Sequence, residues 1–241
     1  MERGMSLTNF LLAWQRSPDE YYHGTDEKKL ADEIIVEGLQ GRPEQGKNYF
    51  APIKDRVYLT QELSYAIIYA IGGNMLGSDL SDSLIPQYGQ FAYLFVVRQQ
   101  DLNNDLIPDE DSIGQMVWDF YMEKNGKEVY HDFDYSKVDK TSLGIRLLNW
   151  AENNLTPRQK HEVKVFMNDE AILSHIGKKA IKTLDKGVLD TILQVGGINV
   201  SQGGPVMPSQ CWQFDRNLCP QLQKDGSNFF DLATLYWRRN D

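Results

Sequence analysis

The sequence predicts an α+β fold, and three observations carry that expectation. Residues 90–98 hold Phe91, Ala92, Tyr93, Leu94, Phe95, Val96 and Val97 in a near-continuous apolar run. Such a run suits a strand buried on both faces, at the centre of a sheet. Residues 61–76, 112–123 and 142–153 instead repeat their apolar side chains at helical spacing. Shorter strand-like runs stand at Glu20–Thr25 and Arg56–Thr60.

Each element follows from local pattern. Residues 6–16 place Leu7, Phe10, Leu11 and Trp14 on one helical face, and Ser17-Pro18-Asp19 breaks the pattern. After the strand at 20–25, Asp26 is placed to cap a helix with Leu30, Ile34, Ile35 and Leu39 inward, which Gly38 and Gly41 end. Residues 41–54 are polar and rich in Gly and Pro, a loop before the strand at 56–60. The helix at 61–76 presents Leu63, Ala66, Ile67 and Ala70 on one face, and 77–87 is loop.

The acids of 101–111 (Asp101, Asp105, Asp109, Glu110, Asp111) lack the register of a calcium loop. They read as a solvated loop and the acidic N-terminus of the next helix. That helix turns Ile113, Met116, Val117 and Phe120 inward, and Asn125-Gly126 is a turn. A further helix at 142–153 carries Leu143, Ile145, Leu147, Leu148 and Trp150. Residues 161–167 (His161-Glu162-Val163-Lys164-Val165-Phe166-Met167) alternate and read as a strand. Residues 171–185 read as a turn plus an edge strand, and 186–194 as a helix. From Gly196 onward no period is clear, but Trp212, Phe214, Phe229, Phe230, Tyr236 and Trp237 imply that this part packs.

The chain has 241 residues, enough for a large domain with its own core. Its 41% hydrophobic and 24% charged content is that of an ordinary globular protein. A formal charge of −9 argues against a general nucleic-acid binder. Cys211 and Cys219 match no common zinc spacing, and His23, His131, His161 and His175 form no metal-ligand motif, so no metal is expected. The apolar run at 10–14 is too short for a signal-peptide core or a membrane span, which points to a cytoplasmic chain with no membrane partner.

The motifs that point to chemistry lie between Glu20 and Ala70. Tyr21-Tyr22-His23-Gly24-Thr25 ends the first strand, and Gly24 lets a ligand approach the backbone closely. Tyr58 lies on the second strand, with Ser64, Tyr65 and Tyr69 on the helix that follows. This set resembles the ADP-ribosyltransferases of the diphtheria-toxin and poly(ADP-ribose) polymerase type, which share a His on the first strand, a Tyr on the second and a late Glu. Tyr69 follows Tyr58 at the family's interval, and Glu162 fits the late glutamate.

The resemblance implies a fold of split, curved, antiparallel-rich β-sheets flanked by helices. It implies one domain with an NAD-binding core over about 18–185 and a C-terminal extension, 186–241, of unclear role. NAD is the implied substrate, and no metal is involved. His23 would bond the adenosine-side ribose. Gly24 would give its backbone to the nicotinamide carboxamide, with Thr25 beside it. Tyr58 and Tyr69 would stack on the ring, with Tyr65 a rival for the second face and Ser64 a small polar neighbour. Glu162 would stabilise the oxocarbenium-like transition state.

The implied activity is single-unit ADP-ribose transfer to a macromolecular acceptor, protein favoured over nucleic acid. It belongs to a toxin or effector delivered into a target cell or held in check by an antitoxin or immunity protein. Hydrolysis of NAD by water and a non-catalytic NAD- or ADP-ribose-binding module are the alternatives. Lys160, two residues before Glu162, argues against arginine-modifying chemistry, and His161 is read as structural. The RNA 2′-phosphotransferases also open with His-Gly-Thr, but Tyr58 and Glu162 depart from their pattern.

Overall fold

The computed structural model describes residues 19–41, 53, 55–63, 66, 70, 91–102, 105–129, 133–165, 170–215 and 238–239. The architecture is mixed α+β with antiparallel strand pairing. It consists of two compact units, each built from separate stretches of chain. The described residues of Met1–Gln40, Leu59–Leu102 and Gly204–Asp241 form the first, and those of Gly41–Tyr58 and Asn103–Gly203 the second.

In the first unit, β1 (Glu20–Thr25) lies between β3 (Phe91–Arg98) and the end of β2 (Arg56–Thr60). Tyr22 faces Thr60 across one pairing, and Glu20↔Arg98 through Thr25↔Tyr93 set the register of the other. On its far side β3 pairs with β6 (Gln210–Asp215), from Phe91↔Asp215 to Val96↔Gln210, and β6 pairs with β7 (Arg238–Arg239). The apolar run thus becomes an interior strand: Ala92 through Val97 are all buried.

Helix α1 (Lys28–Glu37) buries Ala31 and Ile34. It ends at Gly38, whose φ of 80° lies in the left-handed region that favours glycine. Leu39 then bridges Val206, exchanging N–H···O bonds of 2.8 and 2.9 Å. The cap residue of α1 is Glu27 rather than the expected Asp26, and it makes no side-chain cap bond.

The second unit contains β4 (Ile107–Pro108), β5 (Asn199–Gly203) and the start of β2, in the order β4-β5-β2. Its helices are α2 (Glu110–Lys124), α3 (Lys140–Asn154), α4 (Pro157–Val165), α5 (Glu170–Thr183) and α6 (Lys186–Ile192). Carboxylates open three of them: Asp109, Asp139 and Asp185 accept from backbone N–H groups of Asp111, Ser142 and Val188. Ile113, Met116, Leu143, Leu147, Ile176 and Ile192 are fully buried.

Helices α2 and α5 approach closely. A Cβ on Gly114 would overlap the carbonyl of Leu173, and one on Gly177 the carbonyl of Glu110. Only glycine lets two helix backbones come this near.

Three expectations need correction. Residues 161–165 belong to helix α4, not to a strand. Residues 171–183 belong to helix α5, not to a turn and an edge strand. The segment 186–241, expected as an extension, supplies α6, β5, β6 and β7. The expected helix at 6–16 and the 42–52 portion of the loop lie outside the described residues.

Candidate functional site

The His-Gly-Thr motif occupies the end of β1. His23 and Gly24 are half-buried, and Thr25 is 5% exposed. Along a strand, Tyr22 and Gly24 share one face and His23 takes the other. His23 pairs with Phe95 and Gly24 with Leu94 on β3. Thr25 ends the strand: its hydroxyl accepts from the Glu27 N–H at 3.5 Å, a local side-chain turn that leads into α1. The Tyr21 hydroxyl accepts from Gln61 Nε2 at 3.2 Å, and burial raises its pKa.

Gly24 has a packing reason of its own. A Cβ there would overlap the Ala66 carbonyl and lie 2.7 Å from the Ala70 amide nitrogen. Residues Leu63, Ala66 and Ala70 are helical, so a helix backbone crosses directly over Gly24. The close approach expected for a ligand is, on that side, an approach by the protein itself. Ser64, Tyr65 and Tyr69 lie outside the described residues.

Tyr58 lies on β2, as expected, and shares a face of that strand with Thr60. Its phenol is held at both valences. The Ile53 N–H donates to the phenol oxygen at 2.7 Å. The phenol O–H is directed at the Glu110 carboxyl, 2.9 Å from Oε1 and 3.1 Å from Oε2. Burial first, and the Glu110 charge second, push the Tyr58 pKa above its ordinary value. Tyr58 is therefore a neutral donor at any physiological pH.

Glu110 is 3% exposed and Asp109 5%. Asp109 caps α2 while its carboxyl is pushed well above the usual aspartate range, by burial and then by Asp111 and Glu110. The expectation of a solvated acidic loop is thus half right: the acids do open α2, but two of them are buried. Sequence reasoning missed Glu110, because nothing in an acidic run before a helix announces burial. The glycine that makes room for its backbone, Gly177, lies far along the chain.

Arg56, two residues before Tyr58, was also missed. It donates to the Ser201 hydroxyl (3.0 Å) and to the carbonyls of Ser201 and Asp105 (2.6 Å each), fastening β2 to β5. On β5, Ser201 and Gln202 are fully buried. This late strand beside β2 carries no carboxylate.

Glu162 lies on α4, where Thr156 and Gln159 form a reciprocal cap. The Gln159 N–H donates to the Thr156 hydroxyl (3.2 Å), and the Thr156 N–H donates to Gln159 Oε1 (2.9 Å). Pro157 takes the first helical position, which proline favours. These local signals outweigh the alternation of 161–167. Glu162 accepts from Arg158 Nε at 2.6 Å, one helical turn earlier, and its side chain is 22% exposed. His161 is exposed rather than packed.

Around α4 runs a surface network. Lys160 Nζ binds Glu152 Oε2 at 2.7 Å, and Tyr121 O–H binds Glu152 Oε1 at 3.0 Å. These bonds, Lys160 first, hold the Glu152 carboxyl down at about 2, and burial and Glu152 push Tyr121 up to about 12.

Among the described residues, no group of His, Cys, Asp and Glu has metal-binding geometry, and no helix is long and apolar enough to cross a membrane. Cys211 is buried on β6, and Cys219 lies outside the described residues. Compared with protein-family models, curated proteins and solved structures, the chain matches none.

Proposed function

We propose that this chain transfers ADP-ribose from NAD to a macromolecular acceptor, a protein rather than a nucleic acid, and releases nicotinamide. The observation that supports this best is the strand placement of the first two motif residues. His23-Gly24-Thr25 closes β1, and Tyr58 lies on β2, which pairs antiparallel with β1. That is the order the family resemblance requires, and split curved sheets with flanking helices belong to the same reading.

In this reading His23 bonds the adenosine-side ribose, the Gly24 backbone holds the carboxamide, and Thr25 adjoins it. Tyr58 stacks on the nicotinamide ring, with Tyr69 or Tyr65 on its other face and Ser64 nearby. Cleaving the nicotinamide–ribose bond leaves positive charge on the sugar, and a carboxylate lowers the barrier by facing it. Glu162 is the carboxylate assigned by the resemblance. Binding NAD in that way requires it to leave Arg158. A toxin or effector with a cognate antitoxin, acting in a cytoplasm, is the context implied by analogy.

The helical setting of Glu162 and its pairing with Arg158 favour a second reading: a module that binds NAD or ADP-ribose without turning it over. Incubation of the chain with labelled NAD and a cell lysate separates these readings. Label on macromolecules supports transfer, free ADP-ribose supports hydrolysis, and NAD bound but unchanged supports the module. Absence of NAD binding overturns all three. Within the transferase reading, Glu162→Gln lowers turnover by about 10²-fold with little change in NAD affinity, as loss of a transition-state contact does. Unchanged turnover takes Glu162 out of the mechanism.

A further inference from the structure

We propose that Glu110 is a positioning residue for the Tyr58 ring. The proposal rests on the reading of Tyr58 as a stacking residue and adds what makes it one. A tyrosine on a strand has two side-chain torsions to immobilise before its ring presents a fixed plane. Immobilising a side chain on binding costs about two- to tenfold in affinity. Here that ordering is done in advance by bonds at the far tip of the ring.

The geometry is specific. The phenol oxygen receives the Ile53 N–H at 2.7 Å, and the phenol proton points at a carboxyl whose two oxygens lie 2.9 and 3.1 Å away. With one donor and one acceptor bond made, the hydroxyl has little left to offer a ligand. What Tyr58 brings to a ligand is its ring. Its role is thereby narrowed to stacking, and proton transfer through the hydroxyl is disfavoured.

Glu110 is a rigid post for this purpose. It is buried, it begins α2 directly after the Asp109 cap, and its backbone carbonyl packs against Gly177 of α5. A carboxyl on a surface loop would follow solvent and hold nothing still. One fixed by a helix start and a glycine contact transmits the position of α2 to the ring.

The test uses the full chain in five forms: wild type, Tyr58→Phe, Glu110→Gln, Glu110→Ala and the double variant Tyr58→Phe/Glu110→Ala. NAD affinity is read by calorimetry, folding by thermal unfolding, and the Tyr58 hydroxyl proton by NMR. Glu110→Gln keeps an acceptor in place, so NAD affinity stays within about twofold and the hydroxyl proton remains protected. Glu110→Ala and Tyr58→Phe each weaken NAD binding by up to about tenfold, the scale of ordering one freed side chain on binding. The double variant is no worse than Tyr58→Phe, because that substitution already removes the bond to Glu110.

Multiplying effects, or unchanged affinity in Tyr58→Phe, overturn the proposal. Should Glu110→Ala fail to fold, Tyr58→Phe and Glu110→Gln decide alone. Should wild type bind no NAD, the functional reading falls, while the hydroxyl proton still decides whether Glu110 pins the ring. A proton that exchanges as fast in wild type as in Glu110→Ala shows that it does not.

Discussion

The start of α2 and the surface of α4 both carry acidic side chains, and the two regions use them in opposite ways. At α2, Asp109 and Glu110 are withdrawn from water, and their partners are a helix end and a phenol. Around α4, Glu152 and Glu162 meet Lys160 and Arg158 at the surface. Burial dominates the first region and drives the Asp109 pKa up. Cationic neighbours dominate the second and drive Glu152 down to about 2. The two carboxyls therefore give stability opposite dependences on pH. What a carboxylate does here is set by its surroundings, not by its place in a sequence motif.

The largest effect is expected at the buried end. Gly177→Ala gains up to about 1 kcal/mol of helix propensity. It also drives a methyl group into the Glu110 carbonyl, a backbone atom that cannot swing aside. Overpacking of this kind costs about 1–3 kcal/mol and more where backbone must move. The clash should win, with a net loss of about 2 kcal/mol or more in thermal or urea unfolding. A stabilised variant would break the account of how α2 and α5 pack.

Next comes the pH response of Asp109. Its folded pKa is raised, so the folded state holds the proton more tightly than the unfolded chain does. The stability it contributes is full below the ordinary aspartate value of about 3.9 and is lost as pH rises through the folded value. Asn caps a helix about as well as Asp, so Asp109→Asn keeps the cap and removes the titration. The difference in Tm, variant minus wild type, should therefore grow between pH 4 and pH 8. For Glu152→Gln the sign reverses. Glu152 contributes above the ordinary glutamate value of about 4.3 and loses that contribution as pH falls through about 2. Differences that rise together would erase the contrast between the two regions.

How much of this was legible in the sequence depends on how local the deciding interaction is. The strands at Glu20–Thr25, Arg56–Thr60 and Phe91–Arg98 were readable because a short run of residues declares its own burial. Gly38 as a helix end was readable for the same reason. Thr156-Pro157 with Gln159 was equally local, yet the β-branched Val163 and Val165 in an alternating run masked it. Glu110 was not readable, since its burial requires Gly177 and Tyr58 from distant stretches. Nor was β5: its partner β4 has only two residues, and its neighbour β2, with the Arg56 side chain that also fastens it, lies far away in the sequence. Of the candidate site, the placement of His23, Gly24, Thr25 and Tyr58 on β1 and β2 was legible, and the setting of the carboxylate was not.

A smaller effect is expected from Thr156→Ala, which removes one half of the reciprocal cap. Loss of a capping hydroxyl costs about 1 kcal/mol, and it should appear first as faster amide exchange at the start of α4. If exchange there is unchanged, the cap does not define the helix, and the alternating pattern of 161–167 regains its weight.

The smallest effect on stability belongs to Glu162→Gln. The pair it breaks joins neighbouring turns of one helix, and its Arg158 side chain is 88% exposed. Exposed ion pairs of this type are screened by salt and worth little. A Tm change of no more than ~2 °C is expected, vanishing at high ionic strength. That small value makes the substitution a clean probe of chemistry. Glu110→Ala removes a buried partner and mixes stability with position, whereas Glu162→Gln leaves the fold nearly untouched. In the proposed transferase reading, a large loss of NAD turnover in this variant is therefore assigned to the chemistry and not to the fold. A large loss of Tm instead would show Glu162 to be held by more than Arg158, and the two acidic regions would no longer be opposites.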